Sequence, residues 1–139
     1  MEDMEFPELS GVTLPAMRRD VLLAVRALAD KGHQRRVWIE KKYPQEGYYD
    51  DFGMNLDTLY DDTLVLEEPS AALGTVLRDG EEVSAMESLR SALNELLSVE
   101  GGGRTDSEYL ASPLWETVVV AAIEACVILC RGSSGDEVV

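Results

Sequence analysis

A chain of 139 residues with 45% hydrophobic content has room for one domain and one core, and at this length it needs neither disulfides nor a metal to fold. Twenty-seven acidic residues against twelve basic ones leave a formal net charge of -15. That charge argues against nucleic acid as a direct ligand, because phosphate binding draws on clustered Lys and Arg, and against a negative membrane surface.

The opening MEDMEFPELSG lacks the positive flank and apolar run of a signal peptide. The longest apolar stretch, Val118–Cys130, is bordered and interrupted by Glu116 and Glu124. At about 13 residues it is too short to span a bilayer. A cytoplasmic protein is the expectation. Thr13-Leu14-Pro15 reads as a helix start, with Thr as cap and Pro in the first turn. Met17, Val21, Leu22, Val25, Leu28 and Ala29 then form one apolar stripe, and Gly32 supplies the stop. HQRRVWIEKKY reads as a short helix rather than a strand, ended by Pro44.

Asn55–Asp61 places Leu56, Leu59 and Tyr60 on one face of another short helix, and Thr63–Leu66 reads as extended. After Asp79-Gly80, the spacing of Val83, Met86, Leu89, Leu93, Leu96 and Leu97 predicts an amphipathic helix stopped by Gly101-Gly102-Gly103. Ser112-Pro113 opens the last helix, apolar on most sides through Cys130 and therefore central. The fold expected is mainly α: a single-domain bundle of four to five helices over 13–131, with at most a minor strand pair. Flexible ends are expected over 1–12 and 132–139.

Charge is unevenly placed. Eight of the twelve basic residues lie between Arg18 and Lys42, with three acids among them. From Tyr43 to Leu77 there is no Lys or Arg, while eight acids accumulate. Within that segment EGYYDDFGMNLDTLYDD carries Tyr-Asp-Asp twice, at Tyr49–Asp51 and Tyr60–Asp62. Six of the nine aromatics fall between Trp38 and Tyr60. Tyrosine and tryptophan anchor interfaces and neighbouring charges steer encounter. Tyr48, Tyr49, Asp50, Asp51, Tyr60, Asp61 and Asp62 are therefore the candidate interface, and a basic protein is the expected partner.

The same aspartates invite a metal or acid–base reading. Asp50-Asp51-Phe52-Gly53 lacks the ligand series of a calcium loop, and a carboxylate pair needs a cleft that separates its two pKa values. Arg35 and Arg36, beside Trp38, are expected in an internal ion-pair network with these acids. His33, the sole histidine, has no matching Ser or Cys motif for a triad. Cys126 and Cys130 share a helix face but lack the further ligands of a zinc site, so they read as small buried hydrophobes. The Gly101–Gly103 run is not followed by the lysine of a phosphate loop. No cofactor, no metal ligand set and no catalytic residue is expected.

The combination of LPAMRRDVLLAVRALAD, HQRRVWIEKKYP and EGYYDDFGMNLDTLYDD resembles an uncharacterised family of small acidic actinobacterial proteins, from about Leu14 to Cys130. That resemblance implies no catalytic residues. The general look is similar to immunity proteins of bacterial toxin systems. The reading favoured is a non-enzymatic, acidic protein-interaction module, immunity-type or regulatory, that binds a basic partner through 46–62. The alternative is a carboxylate-dependent or divalent-metal-binding enzyme of unknown substrate. A homodimer is the third arrangement the chemistry admits.

Overall fold

The structure, a computed structural model, describes residues 7–138, with side chains described over 8–131. The flexible ends expected over 1–12 and 132–139 therefore lie largely outside the described side chains. Among the described residues six α-helices carry the fold: α1 Pro15–Ala29, α2 Lys31–His33, α3 Phe52–Leu56, α4 Gly80–Glu100, α5 Asp106–Leu110 and α6 Trp115–Val138. Two of the short ones run on into π-helical turns, α2 into Gln34–Ile39 and α3 into Asp57–Asp62. Among the described residues there is no β-strand, and in place of the minor strand pair the sequence allowed there is one isolated bridge between Leu73 and Leu77.

The long helices form the scaffold. Arg18 near the start of α1 reaches Leu129 near the end of α6, while Lys31 pairs with Glu116 at the other end. Arg131 pairs with Glu81, and Ser112 donates to Glu100. Thus α6 lies antiparallel to both α1 and α4 and packs on each, the central place its apolar sequence predicts. One hydrophobic core runs through all three, from Val21 and Leu28 through Met86 and Leu93 to Val118 and Leu129. The reading of a single mainly α domain stands at that level.

Several local expectations are corrected. Thr13 does not cap α1: its N–H donates to Gly74 O (3.1 Å), and Leu14 N–H to Thr75 O (2.9 Å). That tether makes Leu14 the N-cap, with Pro15 at the first helical position. Gly32 does not stop the helix either. The chain turns at Asp30, whose carboxylate accepts from His33 N (3.0 Å) and restarts the helix, leaving Gly32 inside the new turn.

The sixth helix is α5. Thr105 Oγ1 accepts from Glu108 N (3.1 Å) while Glu108 Oε1 accepts from Thr105 N (2.9 Å), a complete capping box. The Thr105 N–H bond to the carboxylate holds Glu108 below its usual pKa. Thr63–Leu66 is a turn rather than extended, with Leu64 in the left-handed region at φ 60.

A buried ion pair joins the scaffold at one end. Arg18 and Glu82 are 0% and 2% exposed and bind bidentately, at 2.8 and 2.9 Å. The guanidinium also donates to the carbonyls of Glu8, Val76 (2.8 Å) and Leu129 (3.0 Å). Glu82 Oε1 accepts a further bond from Arg78 N (2.8 Å). One side chain thereby fixes four separated pieces of chain. At the opposite end Gln34 does similar work: its amide donates to Ala27 O (2.9 Å) and Leu28 O (3.0 Å), and its carbonyl accepts from Trp115 Nε1 (3.0 Å). The last carbonyls of α1, which a helix end leaves without partners, are satisfied this way.

Candidate functional site

The two Tyr-Asp-Asp copies have different structural roles. In the first, Asp50 is an internal acceptor. Its Oδ2 accepts from Trp38 Nε1 (2.7 Å) and pairs with His33 Nε2 (2.8 Å), and its Oδ1 accepts from Asn55 Nδ2 (3.0 Å). Asp51 caps α3 by accepting from Met54 N (2.8 Å), and its other oxygen accepts from the Tyr49 hydroxyl. That bond, with the negative field of the carboxylate, pushes the Tyr49 phenol up to about 12. Behind them Phe52 packs among Trp38, Tyr109 and Trp115 at ring separations of 5.9, 5.0 and 5.2 Å. Its N–H donates to Asp106 (3.2 Å), whose carboxyl burial raises above the normal range.

The first copy is thus committed to holding α3 against the aromatic core. Tyr48 is half-buried beside Tyr43, and burial raises its pKa. Arg35 and Arg36 are exposed, and neither forms an ion pair with the 46–62 acids among the described residues. The partners of Asp50 and Asp51 are instead His33, Trp38, Asn55, Tyr49 and a backbone N–H. His33 is the residue that sequence reasoning undervalued. A single imidazole carries no motif, and its carboxylate lies seventeen positions away.

In the second copy only the two aspartates face outward. Tyr60 donates to Asn94 on α4 (2.9 Å), which pins the segment, and burial raises the phenol's pKa. Asp61 and Asp62 are exposed. The chain then widens through the π-turn, where Thr63 N bonds to Thr58 O (3.0 Å) and Thr63 Oγ1 to the same carbonyl (2.7 Å). Val65 and Leu66 are buried, and Leu66 N donates to Leu59 O (2.9 Å). Leu64 lies between these fixed neighbours and points out at 56% exposure.

Beside it is a groove of about 350 Å³, walled by Leu14, Met17, Leu64 and Ala71 and edged by Asp62, Glu67 and Glu68. A separate cleft of about 410 Å³ holds His33, Asp50 and Asn55, with Asp20, Arg26 and Thr58. No Ser or Cys lines it, and the Thr58 hydroxyl donates to Met54 O (3.1 Å).

The aspartates of the two copies do not share one site. Asp50 lines the His33 cleft, Asp51 a hollow beside Asp106, and Asp62 the Leu64 groove. Among the described residues no three His, Cys, Asp or Glu are gathered to hold a metal. Cys126 and Cys130 form no disulfide, both are half-buried against the core, and burial pushes the Cys126 thiol up to about 11. No helix among the described residues is long and apolar enough to cross a membrane. A family model described as a domain of unknown function (DUF7945) matches residues 12–137. No curated protein and no solved structure matches the chain.

Proposed function

We infer that this chain, which belongs to the DUF7945 family of domains of unknown function, is a non-catalytic protein-interaction module that binds a basic partner. The docking surface is the Leu64 groove, so the interface expected over 46–62 moves toward the C-terminal end of the acidic segment. One observation carries this reading: Leu64 is displayed in a left-handed turn between Asp61-Asp62 and Glu67-Glu68. A branched apolar residue at positive φ costs about 1 kcal/mol, and its exposure gains the isolated chain nothing. Its flanking acids take part in no ion pair among the described residues. An apolar anchor with an uncompensated negative rim fits a cationic segment that carries one apolar side chain. Immunity-type action on a basic toxin is one form of this chemistry.

The test uses Lys/Arg-rich peptides with a central Leu or Phe, read by fluorescence anisotropy against acidic peptides of the same length. The basic set is expected to bind preferentially, and more weakly as salt rises. Leu64→Gly, and separately Asp62→Asn with Glu67→Gln and Glu68→Gln, should each weaken binding by about tenfold or more. Melting should hold or rise, since glycine relieves the strained turn and neutral amides relieve repulsion. Equal binding by the variants, or by acidic peptides, would overturn the assignment.

A further inference from the structure

The outer face of α6 carries a second surface, independent of the groove. A helix that is apolar all round is normally buried on all sides. Here α1 and α4 cover one side, and Val120, Ile123 and Val127 remain 44%, 46% and 57% exposed on the other. Glu116 and Arg131, both exposed, extend this row at either end. At 3.6 residues per turn, the five positions 116, 120, 123, 127 and 131 share an arc of about 80° and a length of about 22 Å.

The order of the row is the informative feature. Read from one end it is acid, Val, Ile, Val, base. Turned end over end it is base, Val, Ile, Val, acid. A second copy laid antiparallel, with the two-fold axis between Ile123 and Glu124, sets Val120 against Val127 of that copy, and Glu116 against Arg131. The two Ile123 side chains meet at the axis. Self-complementarity of this kind is what an isologous interface demands. The present partners of the two end charges, Lys31 and Glu81, are exposed pairs that exchange at little cost. A generic basic partner would find Arg131 repulsive, and a generic acidic one would find Glu116 so.

We propose that the α6 face Glu116–Val120–Ile123–Val127–Arg131 is the interface of an antiparallel homodimer of this chain. The row is narrow, so the association is concentration-dependent, with a Kd of the order of micromolar. A net charge of -15 on each copy opposes it, so dimerisation strengthens as salt screens that repulsion.

Sedimentation equilibrium across a concentration series reads the outcome. Wild type is expected to pass from monomer to dimer. Ile123→Asp should raise Kd by about a hundredfold, since it buries two carboxylates at the axis, while melting measured below Kd stays unchanged because the site is exposed in one copy. Glu116→Arg and Arg131→Glu should each weaken the dimer by about tenfold. Combining both substitutions in one chain, or mixing the two single variants, should restore it. A chain that stays monomeric up to about 1 mM overturns the proposal. So does a dimer insensitive to Ile123→Asp, or a double exchange no tighter than the single ones.

Discussion

Arg18→Met removes a guanidinium that makes five hydrogen bonds inside the core and leaves Glu82 charged at 2% exposure. Glu82 would retain the Arg78 N–H as a donor, while the carbonyls of Val76 and Leu129 lose the guanidinium. Breaking a buried pair from one side costs about 3–5 kcal/mol, because the surviving charge has no compensation. For a domain whose whole stability is of the order of 5–15 kcal/mol, that loss lowers Tm by roughly 10–15 °C. Glu82→Leu should cost a similar amount. Arg18→Met with Glu82→Leu should cost far less than the sum, since a well-packed apolar pair replaces the ion pair at roughly equal stability. Urea unfolding followed by fluorescence of the buried Trp38 and Trp115 measures all four corners of the cycle. Single substitutions that cost under about 1 kcal/mol, or a double that is simply additive, would refute the account of this pair as the tie between α1, α4 and α6.

Asp50→Asn turns one acceptor oxygen into a donor facing Trp38, His33 or Asn55, and should destabilise by about 2 kcal/mol in chemical denaturation. Asp61→Asn with Asp62→Asn, on exposed positions, should leave stability within about 0.5 kcal/mol, so equal effects at the two copies would contradict their separate roles. Cys126 should label slowly with a thiol reagent at pH 8, its rate rising with an apparent midpoint near 11 rather than 9. Because burial raises the folded thiol's pKa, unfolded chains lose this proton first, and the thiol's contribution to stability falls as pH climbs from about 9 to about 11.

The long helices were legible because their signals are local. The stripe Val21–Leu28, the spacing Val83–Leu97 and the apolar run to Cys130 each reappear as α1, α4 and α6. What was not legible depends on partners far away in the chain. Thr13 resembles a cap until Gly74 and Thr75 claim its neighbourhood. Arg18 looks like one of several surface arginines until Glu82, sixty-four positions on, receives it. Asp50 looks like its neighbours in the acidic run until Trp38 and His33 turn inward through a π-turn to meet it. One miss was avoidable: Thr105-x-x-Glu108 is a capping box in the sequence itself, and it marks α5.

The distribution of charge links the two proposed surfaces and separates them experimentally. Arg35 and Arg36, within the basic segment from Arg18 to Lys42, are expected from the sequence to pair with the acidic run, and neither does so among the described residues. The described ion pairs of that segment's Lys and Arg side chains go elsewhere: Arg18 to Glu82, Lys31 to Glu116 and Lys42 to Glu40. None of the eight acids between Tyr43 and Leu77 pairs with a Lys or Arg among the described residues, and the one basic side chain that Asp50 meets there is the His33 imidazole. The negative field over Asp57–Glu68 therefore persists in the folded chain. A basic ligand gains from that field, so its affinity must fall as salt rises. Two copies of this chain repel through the same field, so docking of α6 on α6 must tighten as salt rises. Raising ionic strength thus drives the two associations in opposite directions. Glu124→Gln adds a third arm: Glu124 lies beside the two-fold axis, where two carboxylates approach, and its neutralisation should tighten the homodimer severalfold without altering peptide binding. If salt or Glu124→Gln moves both associations the same way, the two surfaces are not independent and the assignment of separate partners fails.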